Sequence, residues 1–212
     1  MSHYNQDYFS YQKPIGEFGG WANKTKFDKY IKETDTVVDF GCGGGYLLNN
    51  IIAARKIGVE VNVEAIKQAN LFGVEVYTQV SGLKFIGTPV DVIISNHALE
   101  HVKDPLNQLI ELKKILKVGG LIIFVVPSES VKVEYKLGDV NQHLYTWSPM
   151  CLGNLFTQAG FTVLECKEYA HRWPPNYLEL GREGREIFDK ACEQYAKVDN
   201  KMSQVRIVGV NG

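Results

Sequence analysis

The sequence predicts a doubly wound α/β fold built on a mostly parallel sheet. Three observations predict it. Seven short β-branched runs alternate with longer segments of helical period. Most of those runs are apolar on both faces, as strands covered by helices on both sides must be. The 212 residues, 45% hydrophobic and 22% charged, suffice for one substantial core and are too few for two ordinary domains.

The strand candidates are 36–40, 56–61, 74–77, 90–95, 121–126, 161–166 and 205–210. A helix is expected over 47–55, after a glycine-dense turn. The clearest helix is 105–117. Asp104 is its N-cap, Pro105 suits the first helical position, and Leu106, Leu109, Ile110 and Leu116 recur at helical spacing. Gly119 is expected to be its left-handed stop. Ser148 and Pro149 form a second cap pair. The polar stretch 176–200 is expected to be helical in its second half, and a last strand, antiparallel to its neighbours, follows.

Composition excludes several functions. The formal net charge is −1 and no long basic block occurs, so the electrostatic footprint of nucleic-acid binding is missing. Cys42, Cys151, Cys166 and Cys192 never approach CxxC spacing, so reduced, buried thiols are expected rather than a zinc site or a disulfide framework. Residues 1–18 lack the basic start and apolar core of a signal peptide. The longest apolar run, 121–126, is far shorter than a bilayer span. A cytoplasmic protein that avoids membranes is expected.

The informative segment is Val37-Val38-Asp39-Phe40-Gly41-Cys42-Gly43-Gly44-Gly45-Tyr46, a buried strand running into a glycine-dense turn and then a helix. Glycines there let a ligand lie against bare backbone amides at the carboxyl end of a strand, beside a helix N-terminus. A dinucleotide turn needs a third small residue where Tyr46 stands, which disfavours a nicotinamide-dependent oxidoreductase. A nucleoside triphosphate loop needs a lysine, and none occurs between Gly41 and Arg55.

Asp39-x-Gly41-x-Gly43-x-Gly45 resembles the first motif of the class I S-adenosylmethionine-dependent methyltransferases, whose Rossmann-like sheet has seven strands with the last reversed. Further matches follow in order: Glu60 at the tip of the second strand, Asp91 to Val102 with its Glu-His-Val ending, Leu116 to Leu121, and Ala159-Gly160-Phe161. The resemblance spans 34–163. It implies S-adenosylmethionine as cofactor, held by Asp39, Gly41, Cys42, Gly43 and Gly45 in the turn, by Glu60 and Val61 after the second strand, and by Asn96 after the fourth. Glu60 is the expected ribose ligand, since a carboxylate can accept from two neighbouring hydroxyls. The family's acidic residue near the adenine is absent from Thr78-Gln79-Val80-Ser81, leaving Gln79 or a backbone carbonyl for that contact.

The resemblance also divides the single domain of 1–212 into an N-terminal helical segment that closes as a lid (1–33), a cofactor-binding core (34–168), and a C-terminal helical segment with the last strand (169–212). In the aromatic stretch from Tyr4 to Lys13, Tyr11 or Gln12 is the expected cofactor contact; a helix docked elsewhere on the sheet is the alternative.

Methyl transfer to a neutral hydroxyl requires orientation and a base. His97, at the carboxyl end of the fourth strand, and His143, in Asn141-Gln142-His143-Leu144-Tyr145-Thr146-Trp147-Ser148, are the candidate catalytic residues. His101, Tyr145 and Trp147 are candidate substrate contacts. Structural roles compete at each: loop packing for His97, a helix-entry hydrogen bond for His143, and core packing for Trp21, Trp147 and Trp173. Glu100 reads as a capping or surface salt-bridge residue, with acceptor binding or pairing to a nearby cation as the alternative, and Cys42 reads as small rather than nucleophilic. The expected activity is methylation of a small metabolite or sugar at oxygen; a non-catalytic cofactor-binding regulatory or assembly protein is the alternative.

Overall fold

The computed structural model describes residues 6–198 and 202–212. Its strands are β1 (Thr36–Phe40), β2 (Arg55–Val59), β3 (Glu75–Tyr77), β4 (Val90–Asn96), β5 (Leu116–Glu129), β6 (Thr162–Glu168) and β7 (Met202–Val210). They form one sheet in the order β3-β2-β1-β4-β5-β7-β6. The first five pair in parallel, and β7 lies antiparallel between β5 and β6. This is the predicted doubly wound arrangement with its last strand reversed.

The alternation of side chains along each strand explains why both faces are apolar. Val38, Phe40, Ile93 and Phe124 enter one core layer, and Val37, Val92, Ile94 and Val125 enter the other. Each large aliphatic or aromatic side chain so buried contributes about 1.5–3 kcal/mol. The helices are α1 (Gln6–Asn23), α2 (Tyr46–Asn50), α3 (Val63–Leu71), α4 (Pro105–Ile115), α5 (Pro149–Gln158), α6 (Tyr177–Glu183) and α7 (Arg185–Val198). Asp104 caps α4 by accepting from Asn107 N at 3.1 Å, and Ser148 caps α5 by accepting from Cys151 N at 3.1 Å. No described helix is long and apolar enough to cross a membrane.

Several boundaries differ from expectation. The helix expected over 47–55 ends at Asn50, because Ile51 turns to extended backbone and Arg55 already opens β2. Gly119 is left-handed (φ +77), yet it does not stop α4. That helix ends at Ile115, and Gly119 turns the chain within β5, where Gly119 N donates to Asn211 O. The bulge this makes shifts pairing with β4 between Val90 and Val92. The stretch 176–200 is helical in its first half as well, as α6. Tyr4 and Asn5, and Asp199 with Asn200, lie outside the described residues. All four cysteines are free, but Cys151 is exposed and Cys166 half-buried, so only Cys42 and Cys192 are buried thiols.

Helix α1 packs along α2 through small residues. A methyl group added to Gly20 would run into the backbone carbonyl of Tyr46, and one on Gly16 would meet the Tyr46 ring at 2.7 Å. On its other side Phe18 and Trp21 join Trp173, Tyr177 and Phe188 in a separate aromatic cluster, so Trp21 is a packing residue, whereas Trp173 packs there and also borders the large cleft of the molecule. Gly20→Ala is expected to cost about 1–3 kcal/mol by overpacking. It should lower the melting temperature by a few degrees and speed proteolytic cutting before residue 24, whereas an unchanged melting curve would mean that α1 is not docked this closely.

Candidate active site

The order of the strands reverses between β1 and β4, the place where open α/β sheets bind ligands beyond their carboxyl ends. A cleft of about 1040 Å³ opens there, lined by residues following β1, β2, β3 and β4, by α1, and by the loop after β5.

The glycine turn forms its floor. Gly41 (φ +79) and Gly43 (φ +51) hold left-handed backbone that side-chain-bearing residues rarely adopt. A methyl group on Gly41 would collide with Ala98, while one on Gly43 would point into open space, so the bare backbone of the turn faces the cleft. Gly45 caps α2 against Ala69 and does not line the cleft, which corrects its expected role as a contact. Cys42 packs its sulfur against Gly58; burial, with Asp39 and Glu60 nearby, raises its thiol well above the usual range, as suits a packing residue.

Glu60 lies at the tip of β2. Its Oε1 accepts from Val61 N at 2.7 Å and Asn62 N at 2.8 Å, and its Oε2 accepts from Gly43 N at 2.9 Å. Burial raises its carboxyl, and these amides pull it back toward ionisation without cancelling the rise. Of roughly four lone-pair sites on a carboxylate, three are thus taken. One acceptor site on Oε2 remains, enough for one incoming hydroxyl rather than the two expected.

Asp39, 2% exposed, has an Oδ1 with no hydrogen-bond partner among the described residues. Burial, reinforced by the Glu60 charge, pushes its carboxyl up to about 8. Lys26 comes in from the segment after α1 and is also 2% exposed. Its Nζ donates to Asn96 Oδ1 at 2.9 Å and Gln204 Oε1 at 2.8 Å, and no described acid forms an ion pair with it. Burial lowers it to about 7. Val61, Gln79 and Asn96 line the cleft as well. Tyr11 does not: it is 49% exposed and points away, because on helix α1 it is Tyr8, Phe9 and Gln12 that face the cleft.

At the far end, histidines gather around Glu100. Far from being a surface residue, Glu100 is 0% exposed. Its Oε1 lies 3.4 Å from His97 Nδ1 and 3.9 Å from both His101 Nε2 and His143 Nε2. Burial alone would raise its carboxyl, but the neighbouring His97 and His101 imidazoles outweigh that and hold it below the ordinary glutamate value. His97 adopts φ +58, an uncommon conformation for a residue with a side chain, and its Nε2 is 3.3 Å from Gln204 Oε1. His143 Nδ1 pairs with Glu129 Oε1 at 2.8 Å. Tyr145 and Trp147 fall outside the cleft, correcting their expected role. The Tyr145 hydroxyl donates to Lys103 O at 3.1 Å, and Trp147, 4% exposed, belongs to the core.

Sequence reasoning missed Lys26, Glu129 and Gln204. An acid just past an apolar run at the carboxyl end of a strand is a legible signal for Glu129. Lys26 and Gln204 lie 178 positions apart and meet only through the fold.

A model of the methyltransferase domain matches residues 12–166. The chain therefore belongs to the methyltransferase-domain family. It is a class I S-adenosylmethionine-dependent methyltransferase by family. Over 107 residues, 45% of this chain, it is 30% identical to the ubiquinone biosynthesis O-methyltransferase of Colwellia psychrerythraea, and the match covers 43% of that relative. The chain thus spans less than half the length of this curated relative. An S-adenosylmethionine-dependent methyltransferase from Archaeoglobus fulgidus superposes with a TM-score of 0.66 at 19% identity, covering 96% of this chain and 99% of that one. The cyclase SpnF superposes with a TM-score of 0.64 at 16% identity, covering 89% and 80%. Such distant likeness establishes the fold alone.

The residues present fit the cofactor. Its amino-acid end carries an ammonium and a carboxylate, and the cleft offers a buried acid, Asp39, whose Oδ1 has no partner among the described residues, and a buried amine, Lys26, that no described acid pairs with. Its ribose needs a hydroxyl acceptor, and Glu60 keeps one lone-pair site open beside the bare backbone of Gly43.

Proposed function

We propose that this protein methylates a small hydroxylated metabolite or sugar at oxygen, with the acceptor bound at the histidine-bearing end of the cleft. Bound S-adenosylmethionine supplies a methyl carbon already activated by its sulfonium. The chain's own work is then to orient, exclude water and handle one proton. Asp39 and Lys26 hold the amino-acid end of the cofactor, and Glu60 its ribose. Tyr8, Phe9 and Gln12 of α1 cover the cleft. His97 and His143 handle the acceptor's proton, with Glu129 fixing the orientation of the His143 ring.

The observation that carries this reading is the set of three histidines around a buried glutamate, in the same cleft as the glycine turn. A protein that only bound the cofactor would have no need of it. The name of the relatives points to oxygen as the methylated atom, and the net charge of −1 disfavours a nucleic-acid acceptor.

The test begins with a screen of metabolite extracts using methyl-labelled cofactor, to find an acceptor. His97→Ala and His143→Ala are then expected to lower turnover about 10²–10⁴-fold, the range for loss of acid–base assistance. S-adenosylhomocysteine affinity should stay within a few-fold. Full turnover in both variants, or no acceptor labelled by a chain that binds the cofactor, would contradict the proposal.

A further inference from the structure

Glu100 meets imidazoles on three sides, with His97 Nδ1 at 3.4 Å and His101 and His143 Nε2 each at 3.9 Å. Neither of its oxygens receives a well-aligned hydrogen bond among the described residues, although the side chain is completely buried. Glu129 accepts from His143 Nδ1 at 2.8 Å, which turns the lone pair of Nε2 inward. That lone pair faces a buried carboxylate oxygen 3.9 Å away, and His101 Nε2 faces the same oxygen at 3.9 Å. A buried carboxylate oxygen facing an imidazole lone pair, with a second imidazole nitrogen at the same distance, is an arrangement that a cation between them stabilises.

We propose that Glu100, His101 and His143 bind one divalent transition-metal ion at the acceptor end of the cleft. Their ligand atoms all lie within 4.8 Å of one another. Two imidazoles and a carboxylate, with the remaining positions open, form the donor set of a catalytic zinc-type site. A tetrahedral ion at about 2.0–2.2 Å needs donors about 3.3–3.6 Å apart, so each 3.9 Å gap closes by about 0.3–0.6 Å. The ligands also arrive as a unit. Leu144 N and Tyr145 N donate to Glu100 O at 2.9 and 3.2 Å, tying the loop that bears His143 to the turn that bears the other two. Glu129 behind His143 is the outer carboxylate that metal-bound histidines commonly have.

This site rests on the methyl-transfer reading and deepens it. A cation there lowers the pKa of an acceptor hydroxyl, which selects acceptors whose oxygen can reach the metal. With His143 committed to the metal, the proton falls to His97 alone, which lies outside the ligand set. The new C–O bond forms as the C–S bond breaks, its electron pair leaving on sulfur.

The test uses the untagged full chain stripped with a chelator, titrated with Co²⁺ and followed by visible absorbance and calorimetry. One Co²⁺ per chain is expected, displaced by Zn²⁺. His101→Ala and His143→Ala should each weaken binding by 100-fold or more, and Glu129→Gln by about 10–100-fold, as for loss of an outer-shell partner. Titration with S-adenosylhomocysteine in parallel reports whether each variant is folded. Wild-type chain that binds S-adenosylhomocysteine but neither metal, or metal binding that survives both histidine substitutions, overturns the site. Metal binding without S-adenosylhomocysteine binding keeps the site and overturns the methyl-transfer reading instead.

Discussion

Glu60→Ala weakens S-adenosylhomocysteine binding about 10–100-fold, the worth of roughly 1.5–3 kcal/mol for one hydrogen bond to a charged group. Glu60 has one open acceptor site because Gly43, Val61 and Asn62 occupy the others. The alanine variant loses the ribose contact and also leaves those three amides unpaired, so the glycine turn loosens. A thermal melt separates the two effects. The cofactor-free variant should melt lower, and the wild-type gain in melting temperature on adding S-adenosylhomocysteine should shrink. Calorimetry at one pH supplies the affinity. An unchanged dissociation constant would mean that the ribose lies elsewhere.

Asp39→Asn should stabilise the cofactor-free protein while weakening its binding of cofactor. The Asp39 carboxyl is raised to about 8 by burial and by the neighbouring Glu60 charge, whereas an unfolded aspartate titrates near about 4. Between those values the folded chain holds a proton that the unfolded chain has released. Stability from this group is therefore complete below about pH 4, falls as the pH rises toward about 8, and is level beyond. Asparagine keeps the shape and removes the titration. The melting temperature of the variant should exceed that of the parent by several degrees at pH 8 and by less at pH 5.

Cofactor binding has the opposite dependence. An ionised Asp39 facing an ammonium is the bound form, so Asp39 makes wild-type affinity rise between pH 6 and pH 8 with a limiting slope of about tenfold per unit, a rise blunted above about pH 7 as Lys26, lowered to about 7, loses its charge. The asparagine variant should lose that slope and bind more weakly at pH 8. Equal affinity for the two proteins at both pH values would remove Asp39 from the site. The trade is the familiar one in which a functional group is kept at the expense of stability.

The strands were legible where a short apolar run met clear breakers on both sides. β1 falls exactly where the Thr36 to Phe40 run predicts, and the reversed β7 matches its expected place. β5 was legible only in its middle. Gly119 reads as a stop, yet the buried Asn211 pairs with Gly119 and Gly120 and carries the strand through them. Helix α1 was half legible. It contains Pro14 and three glycines, poor helix formers, and its helical form depends on packing against α2 and the C-terminal aromatic cluster.

The candidate site divides along the same line. The glycine turn and Glu60 announce themselves because one local backbone turn needs those residue types in that order. Trp147 and Tyr145 share a loop with His143, and periodicity cannot tell which side chains of an irregular loop face a cleft; the core took Trp147. Glu100 looked like a surface acid on a helical turn, and only the return of the His143 loop over it makes it buried. Lys26 carries no sequence signal, since its partners come from β4 and β7.

The central claim is that the cleft beyond β1, β2 and β4 holds S-adenosylmethionine. A crystal structure of the chain grown with S-adenosylhomocysteine tests it most directly. The account predicts the ribose against Glu60, the amino-acid end over Gly41 to Gly43 between Asp39 and Lys26, and the sulfur turned toward His97. Density for the nucleoside anywhere else in the molecule, or a cleft that stays closed by side chains at saturating ligand, would contradict it.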